Sequence, residues 1–141
     1  SNDLGKFYHD TVAYNYRLPN INAAVLLAQL ENLEFFLKKK RILANSYKDY
    51  FLDLGIDFVS EPEKSLSNYW LNNIILKDKK QMLDFLEYAR KQNIDVRPAW
   101  TPMNKLKIYG DCFAGDLSNS SWLADRLVSI PSSPVVNKRV L

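Results

Sequence analysis

Tyr47-Lys48-Asp49-Tyr50-Phe51-Leu52-Asp53-Leu54-Gly55-Ile56-Asp57-Phe58-Val59 is the stretch in which the chain changes its period. Up to Leu54 the apolar residues recur at three and four, which is the spacing of one helix face. Gly55 then stands where a left-handed C-cap would close that helix. Beyond it, residues 56–59 are short, aromatic and β-branched, the texture of a strand. Upstream, the helical stripe extends back through Leu43, Ile42 and Leu37. An earlier stripe of Ala23, Leu26, Leu27, Leu30 and Leu33 lies between Asn20 and Phe36, with Asn20 or Asn22 placed to cap it. Joined, the two would make one helix about three times the mean length, so a break is expected around residues 32–36. Downstream, residues 69–76 read as a second strand bounded by Ser and Asn. Asp78 can cap a helix through Met82, Leu83, Phe85, Leu86, Tyr88 and Ala89, ending near Gln92 and Asn93. Residues 94–97 read as a strand stopped by Pro98. Residues 109–115 read as loop, Ser118 or Asn119 opens a short helix through Trp122, Leu123 and Leu127, and residues 128–131 form a last strand. Two leading helices followed by a β-rich part with covering helices give an α+β domain with a small, mainly antiparallel sheet.

Composition narrows the class of protein. The chain has 141 residues, 47% hydrophobic and 25% charged, with no linker, so residues 1–141 read as one ordinary domain able to bury its own core. Cys112 is the single cysteine, which excludes an internal disulfide framework and fits a reducing, cytoplasmic setting. A net charge of +3 is too small to argue for nucleic acid. The apolar runs are only a few residues long, too short to span a membrane, and residues 1–6 lack the apolar core of a signal peptide. One histidine and one cysteine far apart give no metal-ligand spacing. Four glycines build no phosphate-cradling loop, and neither a nucleophile elbow nor a dinucleotide fingerprint occurs.

Several groups remain that can carry chemistry. In the segment from Tyr14 to Asn20, an extended backbone puts Asn15 and Arg17 on one side and Tyr14 and Tyr16 on the other. An amide beside a guanidinium suits phosphate oxygens; the alternative is that Arg17 pairs with a carboxylate and the tyrosines are core. From Arg97 to Tyr109 runs a proline-stiffened loop leaving a strand, with Trp100, Asn104 and Lys105 between them. Trp100 can pack on a sugar ring or uracil, Asn104 can bond a hydroxyl, and Lys105 or Arg97 can face a diphosphate; composition alone slightly favours the alternative, Trp100 as core and Lys105 as solvated. The run Lys38-Lys39-Lys40-Arg41 reads as a solvated helix face rather than an anion site. His9 beside Asp10 reads as a surface or capping residue before half of a catalytic pair.

Taken in order, these segments resemble the C-terminal part of the DegT/StrS superfamily of sugar aminotransferases. The resemblance rests on Tyr14-Asn15-Tyr16-Arg17-Leu18-Pro19-Asn20-Ile21-Asn22-Ala23-Ala24, on Ala28-Gln29-Leu30-Glu31, on Arg97 to Trp100 with Tyr109, and on Ile130-Pro131-Ser132-Ser133. The texture is similar to members acting on UDP-linked 4-keto sugars for bacillosamine-like or legionaminic-acid-like products, in which Trp-x-x-Met-Asn-Lys-Leu replaces a tryptophan, proline, histidine pattern. The resemblance implies the small C-terminal domain of the aspartate-aminotransferase fold, and a parent enzyme that uses pyridoxal phosphate to move an amino group from glutamate to the sugar. It implies that Asn15 and Arg17 approach the cofactor phosphate across a homodimer interface, and that Arg97, Trp100, Asn104, Lys105 and Tyr109 lie by the sugar nucleotide. Asn104 stands where many members have histidine, which removes a titrating group, and Lys107 stands where proline is usual. The cofactor lysine, its acidic partner and the phosphate-binding turn belong to an upstream domain and have no counterpart in these residues. On this reading the chain holds no catalytic residue and is inactive alone. Two other readings are a stand-alone small-molecule binding module and a helical interaction protein that docks through residues 23–33. If an upstream domain is cut away, that stripe is expected to be partly exposed.

Overall fold

The computed structural model describes residues 11, 12, 14 and 18–134. Its first helix, α1, spans Asn20–Leu30 and is opened by the backbone bond from Ala23 N–H to Pro19 C=O, 3.1 Å. The cap position belongs to Pro19, which has no side-chain acceptor, and neither Asn20 nor Asn22 fills it. The Asn20 amide oxygen instead accepts from the adjacent Ile21 N–H at 2.8 Å. The break falls at Glu31 and Asn32, at the near edge of the expected window, and α2 follows over Leu33–Asp53. Asn32 sits there at φ −110° and ψ 13°, and its side-chain amide donates to the Ala28 carbonyl at 3.3 Å. An asparagine that bonds back to the preceding turn competes with helix continuation.

Gly55 closes α2 as its position foretold. It has φ +65°, its N–H bonds Leu52 C=O at 3.0 Å, and the Ile56 N–H reaches back to Phe51 C=O at 2.9 Å. This paired arrangement satisfies the last carbonyls of the helix and turns the chain into the sheet. The helix α3, Lys79–Lys91, ends the same way with Asn93 at φ +57° in the glycine's place, Ile94 N–H bonding Ala89 C=O at 2.9 Å. At its start, Asp78 accepts from the Gln81 N–H at 2.8 Å, the expected N-cap.

The sheet has four strands in the order β1-β2-β4-β3, antiparallel throughout: β1 Asp57–Phe58, β2 Asn72–Ile75, β3 Arg97–Pro98 and β4 Leu127–Ile130. Strand β2 is shorter than the expected 69–76 because Tyr69 takes φ +45°, which an extended strand does not admit. Strand β3 is displaced from the expected 94–97. Ile94 is spent on closing α3, and Pro98 lies inside the strand rather than stopping it. Proline is tolerated because β3 is an edge strand; the next ladder bond is made by Ala99 N–H to Leu127 C=O at 3.1 Å. A short helix, α4, covers Ser118–Ala124, and Leu127, expected in it, belongs to β4. Two 3-10 turns, Met103–Lys105 and Lys107–Tyr109, shape the loop after β3.

Ile74, Leu76, Val128 and Ile130 from the sheet meet Met82 and Leu86 of α3 to form the core, with Tyr47, Phe51, Ile56, Phe58, Phe85 and Val96 packed against it. Asn72 is buried in the same row of β2, and its side-chain amide has no hydrogen-bond partner. On the opposite face Arg97 pairs in register with Ser129, whose hydroxyl donates to the Asn73 amide oxygen at 2.7 Å. Helix α1 adds nothing to the core: none of its residues is buried. Among the described residues no helix is long and apolar enough to cross a membrane.

Candidate functional site

The basic run on α2 departs from the solvated face expected of it. Lys38 and Lys39 are exposed, but Lys40 donates to the carbonyls of Tyr69, Trp70 and Ser132 at 3.3, 3.3 and 3.0 Å. Burial lowers the pKa of that ammonium, yet the three carbonyls consume all its donors. Arg41 forms a two-pronged pair with Glu61, 2.6 and 3.0 Å, and also donates to Ser67 C=O at 2.7 Å. Both residues therefore tie α2 to the connection between β1 and β2. The sequence did not announce that this connection folds back over the helix.

Strand β3 separates the candidate substrate residues into two places. At its start, Arg97 pairs with Asp95 at 3.0 Å and lines a groove of about 450 Å³ with Lys40, Trp70, Ser129, Ser132 and Ser133. At its far end the chain leaves into the proline-stiffened loop, and a second groove of about 220 Å³ opens between that loop, α3 and the end of α4. Trp100 and Lys105 line this second groove together, and Trp100 is 67% exposed, so it is not a core residue. Asn104 is exposed on the first 3-10 turn, and Tyr109 is half-buried at the end of the next; neither lines either groove. Asn15 and Arg17 lie outside the described residues, as do His9, Asp10 and Tyr16.

Two residues of the second groove carried no sequence expectation. Lys79, in the first turn of α3, meets Asp125, just past α4, at 2.9 Å. The hydrogen bond from Lys79 holds the Asp125 carboxyl below the usual carboxylate range, assisted by the charges of Lys79, Lys105 and Arg126 against partial desolvation. Arg126 is itself fixed, donating to the Lys77 and Trp122 carbonyls at 3.1 and 3.0 Å with its guanidinium 4.5 Å from the Trp122 ring centre. The antiparallel order explains the meeting: the end of β2, which leads into α3, lies beside the start of β4. The groove thus has an apolar floor that includes Met82 and Leu86, an exposed indole on its rim, and more positive than negative charge. That is the equipment for a ring that carries an anionic group. Among the described residues no group of three or more His, Cys, Asp or Glu is arranged to hold a metal ion.

The fold has close counterparts among solved structures. The aminotransferase TlmJ from Streptoalloteichus hindustanus superposes with a TM-score of 0.73 at 17% identity, over 84% of this chain and 32% of that one. Helicobacter pylori PseC, an aminotransferase involved in the biosynthesis of pseudoaminic acid, gives 0.72 at 22% identity, over 98% of this chain and 38% of that one. In sequence, the GDP-perosamine synthase of Vibrio cholerae is 34% identical over 137 residues, which is 92% of this chain and 36% of that protein. EpsN of Bacillus subtilis (strain 168), whose name is that of a pyridoxal phosphate-dependent aminotransferase, is 33% identical over 104 residues, 73% of this chain and 27% of that protein. The chain spans about a third of the length of the curated relatives it matches. The family profile itself matches residues 1–140, nearly every position of the sequence. With the α+β architecture in agreement, the chain belongs to the DegT/DnrJ/EryC1/StrS aminotransferase family.

Proposed function

We propose that the chain is the C-terminal small domain of a cytoplasmic, homodimeric sugar aminotransferase that moves an amino group from glutamate to a nucleotide-linked 4-keto sugar for surface-glycan synthesis. The family match over residues 1–140 carries this reading. The exposed Trp100 and the positive groove beside it support it, since they suit a ring bearing a diphosphate. The motif texture favours a UDP-linked sugar, while the names of two relatives, from Vibrio cholerae and Escherichia coli O157:H7, specify a GDP-linked one. Assay with both nucleotides decides between them.

In this reading Trp100 offers its face to the sugar or base, Lys105 neutralises phosphate charge, and exposed Asn104 supplies a donor and an acceptor without titrating. Tyr109 ends the turn that sets the shape of this loop. Arg97, on the other side of β3, serves the site through its pairing with Ser129, which fixes the strand from which Trp100 departs.

Pyridoxal phosphate, bound in the parent enzyme, supplies the electron sink that amino transfer requires. The described residues do not themselves fit it. Among the described residues no lysine is fully buried, and Lys40, the one lysine whose pKa is lowered by burial, spends its ammonium on carbonyls. The phosphate contacts assigned to Asn15 and Arg17 fall outside the described residues. The reading is tested by the absorption spectrum of the protein expressed from its whole reading frame, before and after glutamate. A long-wavelength cofactor band that glutamate bleaches is the expected result. A protein showing no band after pyridoxal phosphate is supplied would overturn it in favour of a binding module of the same fold.

A further inference from the structure

We infer that Lys79 and Asp125 form an opposed pair at the mouth of the Trp100 groove, in which Lys79 binds the diphosphate of a nucleotide-linked sugar and Asp125 weakens that hold. The inference rests on the sugar-nucleotide reading and adds to it two residues that neither the motifs nor the family resemblance singled out.

Size comes first. At about 220 Å³ the groove takes one ring, not a whole sugar nucleotide, so anything attached to that ring must lie across the rim. The floor is apolar, with Met82, Leu83, Leu86 and Pro98, and suits the face of a ring. The rim is where charge collects: Lys79 and Lys105 line it together with Asp125, and Arg126 follows immediately in sequence. Arg126 commits its guanidinium to the Lys77 and Trp122 carbonyls and contributes as a fixed charge. Lys79 is different. Its ammonium has three donors, and its side chain is 63% exposed, so it can turn toward an anion without losing a buried contact.

Asp125 sets the strength of that response. With its carboxylate present, a diphosphate must compete for Lys79 and faces like-charge repulsion at short range. Without it, three cations stand unopposed. The site is thereby built for affinity short of the maximum its cations allow, which suits an enzyme that must release a product bearing the same diphosphate as its substrate. Opposite effects from the two partners follow. Removing Lys79 weakens binding, and neutralising Asp125 strengthens it.

The experiment uses the protein from its whole reading frame, loaded with pyridoxal phosphate, with UDP and GDP as probes and uridine and guanosine as phosphate-free controls. Lys79→Ala is expected to weaken the better-bound nucleoside diphosphate about tenfold, with Lys79→Arg restoring most of the loss. Asp125→Asn is expected to tighten it several-fold, and neither change is expected to move the binding of the bare nucleoside. Thermal midpoints within a few degrees of the parent show that the variants fold, as expected for an exposed pair. The inference is overturned if Lys79→Ala leaves diphosphate affinity within twofold, if Asp125→Asn weakens it, or if the parent binds neither diphosphate. The two layers separate cleanly. A glutamate-bleached band with Lys79-independent diphosphate binding removes the pair and keeps the aminotransferase; Lys79-dependent diphosphate binding without any cofactor band does the reverse.

Discussion

Helices α1 and α3 are of similar length, 11 and 13 residues, and opposite in how they are provided for. Helix α3 buries Met82, Leu86 and Ala89 and turns polar residues outward, where Lys80–Asp84 and Glu87–Lys91 pair one turn apart. It carries its own start in Asp78 and its own stop in Asn93. Helix α1 has only Asn20, Asn22 and Gln29 as polar residues, and Val25, Leu26, Leu27 and Leu30 are each about half exposed or more, at 57, 49, 63 and 52%. A helix apolar on every side is one that neighbours must enclose. The stripe expected on one face is a coat around the whole cylinder. The pair teaches that strong local preference and completed burial are separate properties, and that the second needs a partner surface.

The sharpest test of that contrast is one deletion made in both helices. In the 141-residue chain, Leu86→Ala is expected to cost about 2–5 kcal/mol, whereas Leu27→Ala is expected to stay within about 0.5 kcal/mol, both read by urea unfolding. Equal losses would mean that α1 finds cover within this chain. Next in size is Gly55→Ala at the end of α2. Nothing lies within 4 Å of the added carbon, so the cost is the left-handed backbone alone, about 1–2 kcal/mol. Asp78→Ala should cost α3 about 1 kcal/mol of capping, a loss α1 cannot suffer because Pro19 offers no side-chain acceptor. The smallest effect concerns acid. Hydrogen bonds from Arg41 and then from the Ser67 backbone hold the Glu61 carboxyl below its usual range. Its contribution is therefore complete above the unfolded glutamate pKa of about 4.3 and is lost as pH falls through the folded value. Stability followed against pH should decline less steeply on acidification in Arg41→Met than in the parent, and an unchanged slope would detach Glu61 from the folding of α2.

Much of the fold was legible because its punctuation is local. Gly55, Asp78 and Asn93 each act on backbone groups within one turn, and a sequence displays such neighbours side by side. Residues whose place depends on topology were not legible. Pro98 reads as a stop until β3 is known to be an edge, and Ile94 reads as strand until its N–H is seen closing α3. Lys40 and Arg41 look solvated until the chain between β1 and β2 returns over them. The candidate site divides along the same line. The Trp100 and Lys105 groove was foreshadowed by a proline-stiffened loop leaving a strand, but Lys79 and Asp125 meet only because β2 and β4 are adjacent and antiparallel. Arg97, close to Trp100 in sequence, is parted from it because a strand directs its two ends to different edges of the domain.

The placing of β4 between β2 and β3 has a consequence for how the protein is made. Ile74 and Val128, both 0% exposed, are register partners, and among the described residues β3 has no neighbour in the sheet other than β4. During synthesis β2 and β3 emerge from the ribosome well before the strand that joins them, so one long edge of β2 and the side chain of Ile74 must wait uncovered. A polypeptide halted short of Leu127 forfeits the middle of its sheet rather than a margin, and such a product is one for chaperones and proteases rather than a slightly shortened version of the same domain.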